Sequence, residues 1–251
     1  MNRYGKLLKK IYFLLAVSLL LVQAAPASAA RFVSSSPYVN TVISFISGTK
    51  AGKGRAAFVA LNEKELRRRG GVRLFKDTDV SQDEILRSYY DPARIPYVAH
   101  AVMRIASTAD NANYKYYQRR LAEFQAALDS AVDIGRYCLP GDVAFLDLTG
   151  IEGALISSAH DATVRPDKSE WKRWETDDTE SLKKLVEMSE QKGTVILVDG
   201  WTPPQVNACL VNYKKKIYLP RAETGENYFN SLMSIYRYAA KRLKYFKDTN
   251  K

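Results

Sequence analysis

From residue 31 onward, short apolar runs alternate with longer stretches in which apolar residues recur every three or four positions, the pattern of strands alternating with amphipathic helices. The first runs predict a strand over 31–35, a helix from Pro37 to Ser47 closed by Gly48, and, past a polar loop over 49–55, a strand over 57–61. Asn62 then caps a helix through Arg69, Gly70-Gly71 stops it, and a strand follows over 72–75. Between Asp77 and Pro96 the pattern is irregular, with Asp91-Pro92 and Ile95-Pro96 marking turns or extended backbone. Two helices come next, over 97–108 and 112–135. Tyr116, Leu121, Phe124, Leu128, Ala131 and Val132 recur at helical spacing in the second, which is long enough to bridge two lobes.

Beyond Pro140-Gly141 the alternation resumes: strand 143–148, helix 151–158, a short strand near 162–164, a polar stretch containing Trp171 and Trp174, helix 179–192, strand 194–199, helix 204–210, strand 216–219 and a closing amphipathic helix over 227–245. Strands separated by helices imply mainly parallel sheets covered on both faces, an α/β fold. The chain divides into a small N-terminal α/β lobe over 30–90, a helical connector over 91–138 and a C-terminal α/β lobe over 139–251.

The first 29 residues follow a different pattern. Arg3, Lys6, Lys9 and Lys10 precede the apolar run Ile11 to Val22, and small residues at A-x-A positions follow in Ala24-Ala25-Pro26-Ala27-Ser28-Ala29. A basic head, an apolar core too short for a comfortable membrane span and a small-residue site predict a cleavable secretory signal, hence a periplasmic or secreted product. Loss of the signal's four basic residues takes the formal charge from +11 to +7. The remaining cations are scattered, with short clusters only at Arg67-Arg68-Arg69 and Lys214-Lys215-Lys216, and no nucleic-acid-binding motif accompanies them.

An exported chain with only Cys138 and Cys209 offers one disulfide; two buried thiols are the alternative. No G-x-S-x-G, phosphate-binding glycine loop, CxxC or H-E-x-x-H is present. Of the two histidines, His100 sits on a helix beside Tyr97, Val98, Val102 and Met103, in a packing or surface position. His160-Asp161 is the one adjacent imidazole–carboxylate pair. Asp147, Glu152 and Asp199 fall at or just past the carboxyl ends of strands in the larger lobe, where parallel sheets place ligands. In Asp199-Gly200-Trp201 an acid and a large aromatic leave a strand together; the competing reading is a turn in which Asp199 caps the following helix and Trp201 packs against it.

The segment Ser88-Tyr89-Tyr90-Asp91-Pro92-Ala93-Arg94-Ile95-Pro96 resembles the H-x-W-x-D-P-x-x-x-P stretch of periplasmic solute-binding proteins of zinc- and manganese-type ABC transporters. Asp110-Asn111-Ala112-Asn113 with Tyr116-Tyr117 is similar to that family's D-P-x-N-x-x-x-Y helix start, Ile196 to Pro203 to its I-F-x-E-x-x-x-S strand and turn, and Tyr228 to Leu243 to its closing helix. The resemblance implies two α/β lobes joined by a long rigid helix, a single zinc or manganese ion in the cleft, and an ABC permease at the inner membrane as partner, with the membrane reached only through it and no nucleic acid. Carried over by position, the usual ligands fall on Arg87, Thr149 and Leu219, with Asp199 the one retained acid. A cation at Arg87 opposes a metal ion. The first lobe, about 60 residues long, is also shorter than the family's usual one.

The resulting expectation is a non-enzymatic binding protein of this type with an altered metal site. It takes an anionic ligand through a cleft with Arg87, Thr149, Asp199 and Trp201, or acts through protein contacts. A second reading keeps zinc or manganese on a rearranged site of His160, Asp161 and Asp147 or Asp199. A third is a secreted hydrolase using Asp147, Glu152 or Asp199 as acid and base.

Overall fold

The computed structural model describes residues 31–48, 56–176, 178–225 and 227–248; the signal peptide expected over 1–29 and the loop expected over 49–55 lie outside these. The first sheet has three parallel strands, β1 (Phe32–Ser34), β2 (Ala57–Ala60) and β3 (Val72–Arg73), in the order β1-β2-β3. Helix α1 (Pro37–Ser47) starts where the Ser36 hydroxyl accepts from the Val39 N–H. Helix α2 (Glu63–Arg69) starts where Asn62 accepts from Glu65, as the asparagine predicted.

The stretch read as irregular contains helix α3 (Gln82–Tyr89), opened by a reciprocal box in which Ser81 and Glu84 each accept from the other's backbone N–H. With eight residues and only Ile85, Leu86 and Tyr89 buried, it is too short for its spacing to stand out, although Ser81-x-x-Glu84 was the signal that could have marked it. Helix α4 (Ile95–Ala109) leads through a 3-10 turn at Asn111–Asn113 into α5 (Tyr114–Cys138). At 25 residues, α5 is about 37 Å long. It is the spine of the molecule, packing on α1 of the first lobe, on the neighbouring α4, and on α6 and α10 of the second lobe.

The second sheet comprises β4 (Phe145–Asp147), β5 (Thr163–Val164), β6 (Val195–Val198) and β7 (Lys216–Tyr218), all parallel, in the order β5-β4-β6-β7. Around it lie α6 (Gly153–Ala159), α7 (Lys168–Glu175), α8 (Glu180–Lys192), α9 (Pro204–Cys209) and α10 (Tyr228–Asp248). Helix α7 occupies the stretch read only as polar. Its Trp174 is wholly buried and its indole N–H donates to the Ser181 hydroxyl at 2.9 Å. Side chains alternate across the two central strands. Phe145, Val195 and Leu197 join the main core with α5, α6 and α10, whereas Leu146, Leu148, Ile196 and Val198 face a second core built with Trp174, Leu182, Val206 and Leu210. Among the described residues no helix is long and apolar enough to cross a membrane.

Tyrosine hydroxyls tie the two lobes together. Tyr89 donates to the Glu223 carbonyl (2.7 Å), Tyr228 donates to the Tyr89 carbonyl (2.7 Å), and the Ala222 N–H donates to Tyr90 (2.8 Å). Burial holds all three phenols well above their ordinary pKa, so they remain neutral donors and acceptors.

Cys138 at the end of α5 and Cys209 at the end of α9 are both free and half-buried, so the disulfide offered by the sequence is not formed. Cys138 ends the spine, whereas Cys209 packs on the core across the second sheet.

Where α5 crosses α10 and α6, Gly135 leaves room for its neighbours: a Cβ there would stand 2.7 Å from the Tyr236 ring and 2.8 Å from Ala159 Cβ. Gly135→Ala gains about 1 kcal/mol in helix propensity but overpacks a contact between two rigid neighbours, at a cost of roughly 1–3 kcal/mol. Urea unfolding is expected to show a net loss of about 1 kcal/mol. Gly141→Ala, with nothing within 4 Å of the added carbon, is expected to change stability by less than about 0.5 kcal/mol. Equal stability of the two variants would contradict this packing.

Candidate functional site: the cleft at the carboxyl ends of the second sheet

In the order β5-β4-β6-β7 the chain leaves β4 toward one side and β6 toward the other. Correspondingly α6, which follows β4, packs into the main core, and α9, which follows β6, packs into the second core. The loops after β4 and β6 therefore part at the carboxyl edge of the sheet, the place where such sheets take ligands. A cleft of about 1180 Å³ opens there, lined on the first-lobe side by Asp83, Arg87, Asp91 and Arg94, and on the other by Asp147, Arg165, Lys168, Trp171, Lys172 and Trp201 among others.

The carboxylates at the base of this cleft are already engaged. Asp199, 1% exposed, accepts from the N–H groups of Gly150 (2.9 Å), Ile151 (2.8 Å) and Glu152 (3.0 Å) across the sheet, and from Trp201 N–H (2.9 Å) and Thr202 Oγ1 (3.1 Å) in its own turn. The acid thus fills the concavity of converging N–H groups that would otherwise receive an anion. Of the two readings of Asp199-Gly200-Trp201, the turn is the one observed, with the difference that Asp199 caps the loop leading into α6 rather than the helix after its own turn.

Asp147, also 1% exposed, accepts from Thr149 N–H (2.9 Å) and Thr149 Oγ1 (2.7 Å) and forms a 2.6 Å ion pair with Arg165. Thr149 is wholly buried, and its hydroxyl accepts from Gly153 N–H at 2.7 Å. Gly153 is obligatory here, because a Cβ would lie 1.9 Å from the Asp147 carboxylate.

Arg87 spans the cleft from the first lobe. Its Nε donates to Asp83 (2.9 Å) and its Nη1 to the Gly150 carbonyl (3.0 Å). Trp201 lies under the Arg221 guanidinium, 4.3 Å from the ring centroid, and meets the Tyr90 ring edge-on at 5.9 Å. Arg165 stands over Trp171 at 5.3 Å. Arg165, Lys168, Trp171 and Lys172 were not singled out from the sequence. Arg165 follows strand β5 directly, so the strand-end rule that selected Asp147 and Asp199 also applied to it.

Glu152 differs from the other two acids: it is 0% exposed and neither carboxylate oxygen has a hydrogen-bond partner. The Tyr90 hydroxyl, which accepts from the Ala222 N–H, is the polar group beside it. Burial, and then the Asp199 charge, push the Glu152 carboxyl up to about 8, against opposing contributions from Tyr90 and Arg221. Glu152 therefore carries a proton at neutral pH.

His160 lies elsewhere. Its Nε2 is 3.1 Å from the Pro140 carbonyl, its Nδ1 is 3.5 Å from Thr163 Oγ1, and its ring packs edge-on to Phe145, the first residue of β4. These partners place it toward the amino end of the sheet, outside the cleft lining, with Asp161 exposed beside it. His160, Asp161, Asp147 and Asp199 are thus not brought together. Among the described residues no group of three or more His, Cys, Asp or Glu is arranged to hold a metal ion.

No protein-family model and no curated protein matches the chain. Solved structures do. ZnuA superposes with a TM-score of 0.56 at 12% identity, covering 85% of this chain and 98% of that one. The laminin-binding protein Lbp of Streptococcus pyogenes gives 0.57 at 10% identity, covering 86% and 99%. The solute-binding protein FpvC from Pseudomonas aeruginosa in complex with Mn2+ gives 0.54 at 13% identity, covering 86% and 99%.

The raised Glu152 carboxyl sets the sign of one pH effect. Its ordinary value is 4.5 and its folded value about 8, so between these limits the unfolded chain is ionised where the native chain holds a proton. Its stabilising contribution is complete below 4.5 and is lost as pH rises through 8, an effect of about 5 kcal/mol at most. Thermal melts from pH 5 to 9 should show the wild type losing stability relative to Glu152→Gln; parallel curves would refute the burial of an unpartnered acid. With the cleft and its neighbours described, the architecture is settled: this chain has the α/β fold of the metal-type solute-binding proteins, with parallel sheets in two lobes joined by a long helix.

Proposed function

We propose that this chain is an exported solute-binding component of a metal-type ABC transport system whose cleft no longer holds a transition metal and receives an anionic ligand instead. The observation that carries this reading is the engagement of the acids at the base of the cleft and on its first-lobe side. Asp147 is bound to Arg165 and Thr149, and Asp199 to five donors, while Asp83 and Asp91 each face an arginine. What the second-lobe wall presents to solvent is the Arg165 guanidinium, 40% exposed, with Lys168 and Lys172, beside the indoles of Trp171 and Trp201. Arg87 adds a cation from the other lobe. Asp167, which accepts from the first N–H groups of α7, and the exposed Glu175 also line this wall. Of the described acids lining the cleft, a divalent ion entering here meets only Glu175 with neither an ion pair nor a backbone hydrogen bond, whereas an anion meets Arg165, Lys168 and Lys172 beside flat apolar faces. The ABC permease at the inner membrane is the partner this reading implies, and the periplasm or cell exterior is the compartment.

One observation favours retention of a metal. The Glu152 carboxylate is buried and without a partner, and structural neighbours include FpvC in complex with Ni2+ and a zinc-bound AdcAII variant of Streptococcus pneumoniae. Against it, a metal on Glu152 would need further donors, and the neighbouring groups are a tyrosine engaged with backbone, the saturated Asp199 and the cationic Arg221. The residues present do not fit a metal centre.

Native mass spectrometry with elemental analysis, on protein recovered without added metal or chelator and then titrated with zinc and manganese, decides between the two. The expected result is a metal-free chain that takes up neither ion at unit stoichiometry. One tightly held ion per chain, released on Glu152→Gln, would overturn the anion reading in favour of a metal carrier.

A further inference from the structure

Most arginines on this surface face an acid. Arg67, Arg73, Arg94, Arg136 and Arg173 each have a carboxylate oxygen within 3.1 Å. Other cations have no such partner, and one set of these is gathered in a single region. Lys214, Lys215, Arg237, Lys241, Arg242 and Lys244 make no ion pair among the described residues. Lys215 reaches only the Gly193 carbonyl, at 3.5 Å, and Arg242 lies over the rings of Tyr245 and Phe246.

These residues are contiguous. On α10 the buried stripe runs through Leu232, Ile235, Tyr236, Ala239, Leu243 and Phe246. Helical spacing puts Arg237, Lys241 and Lys244 at the centre of the opposite face, with Tyr238 and Tyr245 on its flank, 38% and 55% exposed. That flank continues into a recess of about 450 Å³ lined by Arg242, Lys214, Lys215, Tyr213 and Tyr245, with Glu190 the acid there. Lys214 and Lys215 precede β7, so the recess opens at the amino ends of the strands, the opposite edge from the cleft.

We infer that this face of α10 docks on an anionic phospholipid surface, with a headgroup phosphate in the recess. Flexible lysines on a convex helix suit a plane of diffuse charge better than a shaped partner, and exposed tyrosines beside them suit the headgroup layer. The contact leaves the cleft mouth uncovered. It adds to the transport reading, in which the membrane is reached only through a permease, and does not depend on it.

The test is co-sedimentation of the purified chain with vesicles of phosphatidylcholine alone or mixed with phosphatidylglycerol, at low and high sodium chloride. Binding is expected only to the phosphatidylglycerol vesicles and only at low salt. The exposed pair Lys241→Glu/Lys244→Glu should bind at least tenfold more weakly, while Lys183→Glu/Lys184→Glu, the same charge change on exposed residues of α8, should bind as wild type. Equal weakening by both pairs would reduce the effect to net charge and overturn the assignment. Absence of binding to phosphatidylglycerol vesicles would also overturn it, and capture by soluble polyglutamate in that case would reassign the face to an acidic protein.

Discussion

The second lobe is organised around one carboxylate. Asp199 stands at the point where β4 and β6 send their loops apart, and it gathers the N–H groups of Gly150, Ile151 and Glu152 from one loop and of Trp201 from the other. Without an acceptor there, several buried backbone donors would be left unpaired at the opening of a helix, and each such loss is costly. A second tie runs in parallel, from Asp147 through Thr149 to the Gly153 N–H, and its outer oxygen is held by Arg165. Together these acids shape the base of the cleft and at the same time remove themselves from ligand chemistry. Glu152, drawn between them and the lobe interface, is left buried, and that burial first, with the Asp199 charge second, favours its protonated form.

The same arrangement explains how the lobes are held. Arg87 of the first lobe donates to the Gly150 carbonyl, so the loop that Asp199 fixes from below is also gripped from across the cleft. Tyr90 reaches the Ala222 backbone and the Trp201 ring, and Trp201 is roofed by Arg221. With the tyrosine bonds at Tyr89 and Tyr228, the interface is a chain of aromatic side chains whose polar ends are paired, which favours one relative placement of the lobes.

Strands and helices driven by local pattern were legible in the sequence. Val195 to Val198 is apolar without interruption and is one of the two inner strands, buried on both faces, and Asn62 caps the helix it was expected to cap. Helices α3 and α7 are not legible in this way because each is only eight residues long, too short for its few buried positions to set up a recognisable spacing. The strand-end rule picked Asp147, Glu152 and Asp199 as a group, but what each does depends on partners up to 49 residues away that no local pattern reveals. His160 was selected for its chemistry beside Asp161. Its surroundings, a proline carbonyl and a phenylalanine ring, belong to packing.

Asp199 is a structural acceptor in this site and not a ligand. Urea unfolding of Asp199→Asn against wild type, both in excess chelator, tests this directly. An amide in this position would turn a donor toward N–H groups, and the account predicts a loss of roughly 2–4 kcal/mol. A metal ligand kept beside Glu152 would instead strain the empty protein by repulsion between the two acids, so equal or greater stability of the variant would contradict the account.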